Sequence, residues 1–263
     1  MSDRPESEIL YEVTDGIGLV TFNRPKARNA FTFEMYEQLA AICSAAPTDG
    51  SVKAIVMTGA GGRAFAAGTD ISLFRAFKGG DDGLAYEAKV EGILDAISSC
   101  PLPTIAAISG ACTGGGSAIA ACCDLRLATR DTKFGFPIAR TLGNCLSAAS
   151  LARLVSLVGE ARVVEMIFTA RLVDANEAQA IGLVSELCDD HDAVLARALE
   201  LARQIAGLAP LTLRITKQLL ARMRAGGPKI DDRDLIHQCY GSADFREGLE
   251  AFLSKRPPNW TGR

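Results

Sequence analysis

Two short glycine-bearing segments constrain this chain more than any other feature. The first reads Ala64-Phe65-Ala66-Ala67-Gly68-Thr69-Asp70-Ile71. The second reads Ser109-Gly110-Ala111-Cys112-Thr113-Gly114-Gly115-Gly116-Ser117. Each follows a short β-like run and leads into a helix-like one. Such a junction leaves backbone N–H groups unpaired and pointing outward. Two junctions set face to face can hold one oxygen anion between two N–H donors, the geometry an oxyanion hole needs. Thr69 and Gly115, at the two centres, are the donor candidates. The rest of the chain offers little other catalytic equipment.

The surrounding pattern is α/β. Residues 8–13 and 17–22 flank Asp15-Gly16, a hairpin signal. A helix is expected over residues 32–45, with Met35, Leu39 and Ile42 on one face. Strands are expected at 53–59, 104–108 and 124–128, and a helix at 86–99 that Pro101 and Pro103 stop. Beyond about residue 151 helical patterns dominate, and 183–187 is the one remaining strand signal. Val194, Ala198, Leu201 and Ile205 form a helical stripe, and Pro210 opens the next helix. Short strands alternating with helices give an α/β body over residues 1–200, and residues 201–263 read as a helical annex.

Composition removes several function classes. The 263 residues carry a net charge of −3, which recommends neither nucleic acid nor an anionic membrane as partner. Residues 1–8 lack the apolar core of a secretory signal. The most apolar window, residues 104–123, is interrupted by four glycines and reads as strand, loop and helix. The eight cysteines, mostly among apolar residues and without a CxxC pair, suit reduced core thiols and a cytoplasmic location. Two distant histidines, His191 and His237, give no metal-ligand spacing, so no metal is expected. The run Gly59-Ala60-Gly61-Gly62-Arg63-Ala64 opens no helix and so fails as a dinucleotide fingerprint. There is no GxxxxGK phosphate loop. Gly115-Gly116-Ser117-Ala118-Ile119 misses the last glycine of a nucleophile elbow.

Five segments in order resemble the crotonase, or enoyl-CoA hydratase/isomerase, superfamily. They are residues 21–30 (Thr-Phe-Asn-Arg-Pro-Lys-Ala-Arg-Asn-Ala), the two glycine segments with Cys123-Asp124 after the second, Phe134-Gly135-Phe136-Pro137, and residues 245–256 with Phe245-Arg246-Glu247-Gly248 and Lys255-Arg256. The resemblance implies a spiral core of repeated ββα turns. It also implies C-terminal helices that assemble a homotrimer or a dimer of trimers. It implies a coenzyme A thioester as substrate, with its oxygen between the N–H groups of Thr69 and Gly115, and no separate cofactor. Lys26, Arg28 and Arg63 fall where basic and backbone contacts to the nucleotide arise. Ala67 and Ile71 fall along the adenine pocket, and Lys255 or Arg256 reaches phosphate across a subunit boundary.

Two departures alter the expected chemistry. Hydratases of this superfamily set two glutamates around a water molecule, and the matching positions here carry Ala118 and Ile138. Neither moves a proton, and positioned acid–base groups contribute roughly 10²–10⁴-fold in rate. The loop after Pro137 is polar and offers Arg140, Asn144, Cys145 and Ser147 as replacements. Cys145 reads either as a thiolate steadied by Arg140 or as a buried core thiol. Asn144 orients water, binds a second carbonyl or only caps the following helix, and Ser147 reads as an N-cap. Asp70 reads as architectural at a helix start. Glu87 and Glu91, at i and i+4, share a helix face that is either solvated or turned toward substrate. His191 reads as an exposed helix start. The expectation is an acyl-CoA enzyme of fatty acid metabolism, a lyase or isomerase, that stabilises a thioester enolate. The alternatives are thioester hydrolysis, decarboxylation, or a homologue that binds acyl-CoA without chemistry.

Overall fold

At the Asp15-Gly16 turn both residues take positive φ, 51° and 75°. This two-residue turn matches the twist of a hairpin, and it joins antiparallel β1 (Ile9–Thr14) to β2 (Ile17–Phe22). The computed structural model describes residues 7–227 and 230–263. Residues 1–6, most of the stretch read above as lacking a secretory signal, lie outside them.

The chain continues through α1 (Phe33–Ser44), β3 (Ala54–Gly59), β4 (Ala64–Ala66), α2 (Gly80–Ser98), β5 (Thr104–Ile108), β6 (Ala111–Thr113) and α3 (Gly115–Cys122). Then come β7 (Leu125–Thr129), β8 (Lys133–Gly135), α4 (Ile138–Thr141), α5 (Ala148–Val158), α6 (Glu160–Thr169), β9 (Val173–Asp174), α7 (Ala175–Ala180) and β10 (Glu186–Cys188). Four helices close the chain: α8 (His191–Ala206), α9 (Pro210–Gly226), α10 (Arg233–Tyr240) and α11 (Ala243–Leu253).

Successive turns lay one strand in each of two sheets. The first sheet runs β1-β2-β3-β5-β7-β10 and the second β4-β6-β8-β9. Both are parallel except at β1–β2 and β8–β9. This is the expected spiral of ββα turns. Strands in a parallel sheet are covered on both faces and read as continuous apolar runs, and β3 is buried at every position. Its side chains still alternate. Ile55 and Met57 join the main core with Met35, Leu39, Val90, Leu94 and Ile97 of α1 and α2. Ala54 and Val56 face the other way, onto Val194, Ala198 and Ala202 of α8.

Several boundaries moved from expectation. α2 starts at Gly80, well before residue 86, because the Asp82 carboxylate accepts hydrogen bonds from the Lys78 and Gly79 amides at 2.6 and 3.1 Å and satisfies the helix start. β7 begins at Leu125, and the Asp124 carboxylate instead accepts from Thr104 N and Oγ1. The strand expected at 183–187 occupies 186–188, since the amides of Leu183 and Val184 donate to Ala178 O at the end of α7. α8 runs through residue 200, and its inner face packs on the first sheet. The following helices have a small core of their own, Leu211, Ile215 and Leu235. They are tied to the body by Lys217 Nζ, which donates to Asp124 Oδ2 at 2.7 Å and Leu102 O at 2.8 Å. No helix among the described residues is long and apolar enough to cross a membrane.

Candidate functional site

The second sheet brings the glycine segments together. β4 pairs with β6, Ala64 with Ala111 and Ala66 with Cys112, so the residues after each strand emerge side by side. At Gly116 the backbone approaches too closely for a side chain, since an added Cβ would collide with Ala66 O, and Gly68 lies within van der Waals reach of Thr113 O and Gly115 N. Gly68 and Gly114 also take positive φ, 102° and 52°, a region open chiefly to glycine.

These turns leave two amides without partners. Gly115 is the first residue of α3, so its N–H precedes the helical ladder. Thr69 sits between two bonded neighbours: Gly68 O accepts from Phe31 N, and Asp70 N donates to Phe31 O. Among the described residues neither Thr69 N–H nor Gly115 N–H has a hydrogen-bond acceptor. Both residues line one cavity of about 260 Å³.

The frame around this pair is rigid. Asn29 is fully buried, donates to Ala60 O and Ala64 O, and accepts from Arg24 N. Arg24 reaches Ala30 O, Glu8 and Asp70. Asp70 accepts from Ser72 and from Arg24, contacts that hold its carboxyl below the usual range. It is an ionised anchor, as read from the sequence. On the other side, Ser117 Oγ lies within hydrogen-bond distance of Cys112 O and Gly135 O and accepts from Gly135 N, lacing α3 to β6 and β8.

Three further polar side chains line the same cavity. Tyr36 Oη lies 2.9 Å from Thr69 Oγ1, which lies 2.9 Å from Tyr86 Oη. Burial pushes both phenols above their usual pKa. Glu87 follows Tyr86 on α2, and burial raises its carboxyl pKa while hydrogen bonding from the Ser147 backbone partly offsets the rise. The rest of the wall is largely apolar, including Val90, Leu94, Phe136, Ile138 and Leu146. The arrangement offers two acceptor-free amides, a half-buried carboxylate and a cavity of about 260 Å³ with a largely apolar wall.

The profile of a family described as Enoyl-CoA hydratase/isomerase matches residues 12–263. The chain belongs to this family. A short-chain-enoyl-CoA hydratase of Clostridium acetobutylicum is 30% identical over 262 residues, covering 95% of this chain and 96% of the relative. The crystal structure of an enoyl-CoA hydratase/carnithine racemase from Magnetospirillum magneticum superposes with a TM-score of 0.87 at 36% identity, covering 98% and 96% of the two chains. That of an enoyl-CoA hydratase from Bacillus anthracis gives 0.85 at 27% identity, covering 98% and 100%. Membership explains the spiral, and the enoyl-CoA hydratase/isomerase fold is the fold of this chain.

The positions expected to hold hydratase glutamates, Ala118 and Ile138, do line the cavity. Of the loop candidates, Asn144 lines it, but Arg140 and Cys145 do not. Arg140 stands on α4 itself and Cys145 in the loop after it, and both are exposed. Its exposure corrects the reading of Cys145 as a core thiol, and the residue stands outside the cavity lining. Replacing Cys145 by alanine is expected to leave turnover within about twofold, measured by steady-state kinetics, because surface substitutions away from special features usually stay within about 0.5 kcal/mol. Ser147 is the N-cap of α5, accepting from Ser150 N at 3.2 Å.

Glu87 enters the cavity and Glu91, one turn later, does not. Ala67 and Ile71 line its mouth, and Arg28 O accepts from Ala67 N. Lys26, Arg28 and Arg63 are exposed and form no ion pair among the described residues. Lys255 is exposed beyond α11 and away from this chain's cavity, while Arg256 is held by Glu247 at 2.6 Å. His191 does start α8, but it is half-buried, with Nδ1 2.9 Å from Ser109 Oγ. His237 is exposed on α10. The tyrosines escaped the sequence reading, because they lie on separate helices and carry no motif.

Proposed function

We propose that this chain is an acyl-CoA enzyme that stabilises a thioester enolate between the amides of Thr69 and Gly115 and moves the proton with Glu87. The observation that carries the reading is the pair of acceptor-free N–H groups opening on one cavity that also holds a half-buried carboxylate. Preorganised donors of this kind strengthen as charge develops on the oxygen, and each is worth about 2.7–4 kcal/mol of barrier.

The reaction that one carboxylate supports best is double-bond isomerisation. Glu87 takes a proton from the carbon next to the thioester of a 3-enoyl-CoA. The electron pair conjugates with the carbonyl, and the charge settles on the oxygen between the amides. The carboxyl then returns the proton to the γ-carbon, giving the 2-enoyl-CoA. One base serves both steps, whereas adding water across a double bond requires water to be activated as well as a carbon protonated. Ala118 and Ile138 supply neither group.

Arg28, with Lys26 and Arg63, provides cations that form no ion pair among the described residues, on the approach to Ala67 and Ile71, suited to the phosphates of coenzyme A. Exposed apolar side chains on the C-terminal helices and α6, Phe252 at 83% and Phe168 at 80%, fit burial between subunits of a trimer. In that assembly Lys255 reaches a neighbour's ligand.

The test is incubation with 3-enoyl-CoA and 2-enoyl-CoA thioesters, followed by the absorbance of the conjugated product. Appearance of the 2-enoyl band from the 3-enoyl substrate supports isomerisation, and its loss from the 2-enoyl substrate with water uptake marks hydration. Tight binding with neither change would leave a protein that binds acyl-CoA without chemistry.

A further inference from the structure

Three hydroxyls converge where the two amides open. Tyr36 is fully buried, its ring packed at 4.8 Å on Phe31, and its Oη meets Thr69 Oγ1. A Cβ built at Gly115 would collide with Tyr36 Oη and lie 3.1 Å from Thr69 Oγ1. The Thr69 hydroxyl therefore sits against the residue that carries the opposite amide. Tyr86 reaches the same oxygen from α2, with its ring fixed edge-on to Phe74 at 4.9 Å and near Phe77 at 6.0 Å.

Proton counting then restricts the arrangement. A threonine hydroxyl has two acceptor lone pairs and one hydrogen. Tyr36 is out of water and has Thr69 Oγ1 as its one side-chain partner among the described residues, so its hydrogen goes there. A phenol is the stronger acid and an alcohol oxygen the stronger acceptor, so Tyr86 donates to Thr69 as well. Both lone pairs are then filled. The Thr69 hydrogen then has no protein acceptor left among the described residues and is available to the cavity that Thr69 lines, in a chain of bonds that polarise one another.

We infer that the Thr69 hydroxyl, loaded by Tyr36 and Tyr86, is a third donor to the enolate oxygen, so that residue 69 contributes both its N–H and its O–H. This rests on the thioester reading above. Thr69 is then a catalytic side chain as well as a backbone donor, and Tyr36 and Tyr86 are positioning residues.

Acetoacetyl-CoA is the probe, because its enolate has its own ultraviolet band. In the unaltered protein the bound probe is expected to ionise at lower pH than the free compound. Thr69→Ala keeps the amide and removes the hydroxyl. It is expected to cut the bound enolate-to-neutral ratio at fixed pH by about 10- to 100-fold, the usual effect of one hydrogen bond to a charged group, and to lower kcat with KM little changed. Thr69→Ser restores both, while Tyr36→Phe and Tyr86→Phe each cost less than Thr69→Ala. Thermal melts confirm that the variants fold. An unchanged enolate ratio in Thr69→Ala overturns the proposal alone. Loss of the band in Tyr86→Phe but not in Thr69→Ala also overturns it, moving the donor to Tyr86. No enolate band in the unaltered protein defeats the two-amide reading and this proposal with it.

Discussion

Replacing Glu87 by glutamine is expected to lower kcat on an enoyl-CoA by about 10²–10⁴-fold, the contribution typical of a positioned acid–base group. Binding of the thioester should persist, because the amides of Thr69 and Gly115 are untouched. The pH profile supplies an independent check. The base must be ionised, and burial raises the Glu87 pKa above the ordinary carboxylate value. Activity should therefore fall as pH drops through that raised value, at higher pH than an exposed glutamate would give, and this acid limb should vanish in the variant. Stability has the opposite sign. A carboxyl whose pKa is higher folded than unfolded contributes stability below its unfolded pKa and loses that contribution as pH rises through the folded one. At neutral pH Glu87→Gln should melt no lower than the parent, which separates lost chemistry from lost fold. Retained turnover with an unchanged acid limb would remove Glu87 from the mechanism.

Gly115→Ala is the second large effect. Its new methyl would collide with Tyr36 Oη, and Tyr36 has no room to withdraw because it is buried and braced by Phe31. Either the tyrosine or the start of α3 must shift. Overpacking of this kind typically costs about 1–3 kcal/mol, and a donor misplaced by about 1 Å costs on the order of 10²-fold in rate. A thermal melt and a rate measurement read both. Adding Tyr36→Phe removes the colliding atom and leaves Thr69 Oγ1 at 3.1 Å and Cζ at 3.3 Å as the next contacts. The double variant should recover part of the melting temperature. Strict additivity of the two changes would show that the clash does not govern the loss.

Much of the frame was legible because local chemistry and global fold agree. Asp15-Gly16 supplies the positive φ that its hairpin demands, and β3 and β5 are apolar runs that end where glycine or serine breaks them. The glycine segments declared themselves because no side chain fits where Gly116 meets Ala66. The second sheet stayed hidden, since β4, β6 and β8 have three residues each and β9 two, too few for a periodicity to show. The cavity carboxylate was half legible. The spacing of Glu87 and Glu91 put them on one helix face, but not which of them would line the cavity. The hydroxyl cluster was not legible at all. Its members come from α1, the loop after β4, and α2, and only tertiary packing makes them neighbours.

The two acceptor-free amides belong to successive rungs of one staircase, clamped by the β4–β6–β8 ladder and by Ser117. The carboxylate hangs from a banister, α2, that joins one rung to the next without being part of either. Evolution can therefore re-carve the banister, or the landing after Pro137, and swap one proton-handling group for another while the oxygen cradle keeps its dimensions. An ancestral scaffold of this build can change which bond it rearranges without relearning how to grip its substrate.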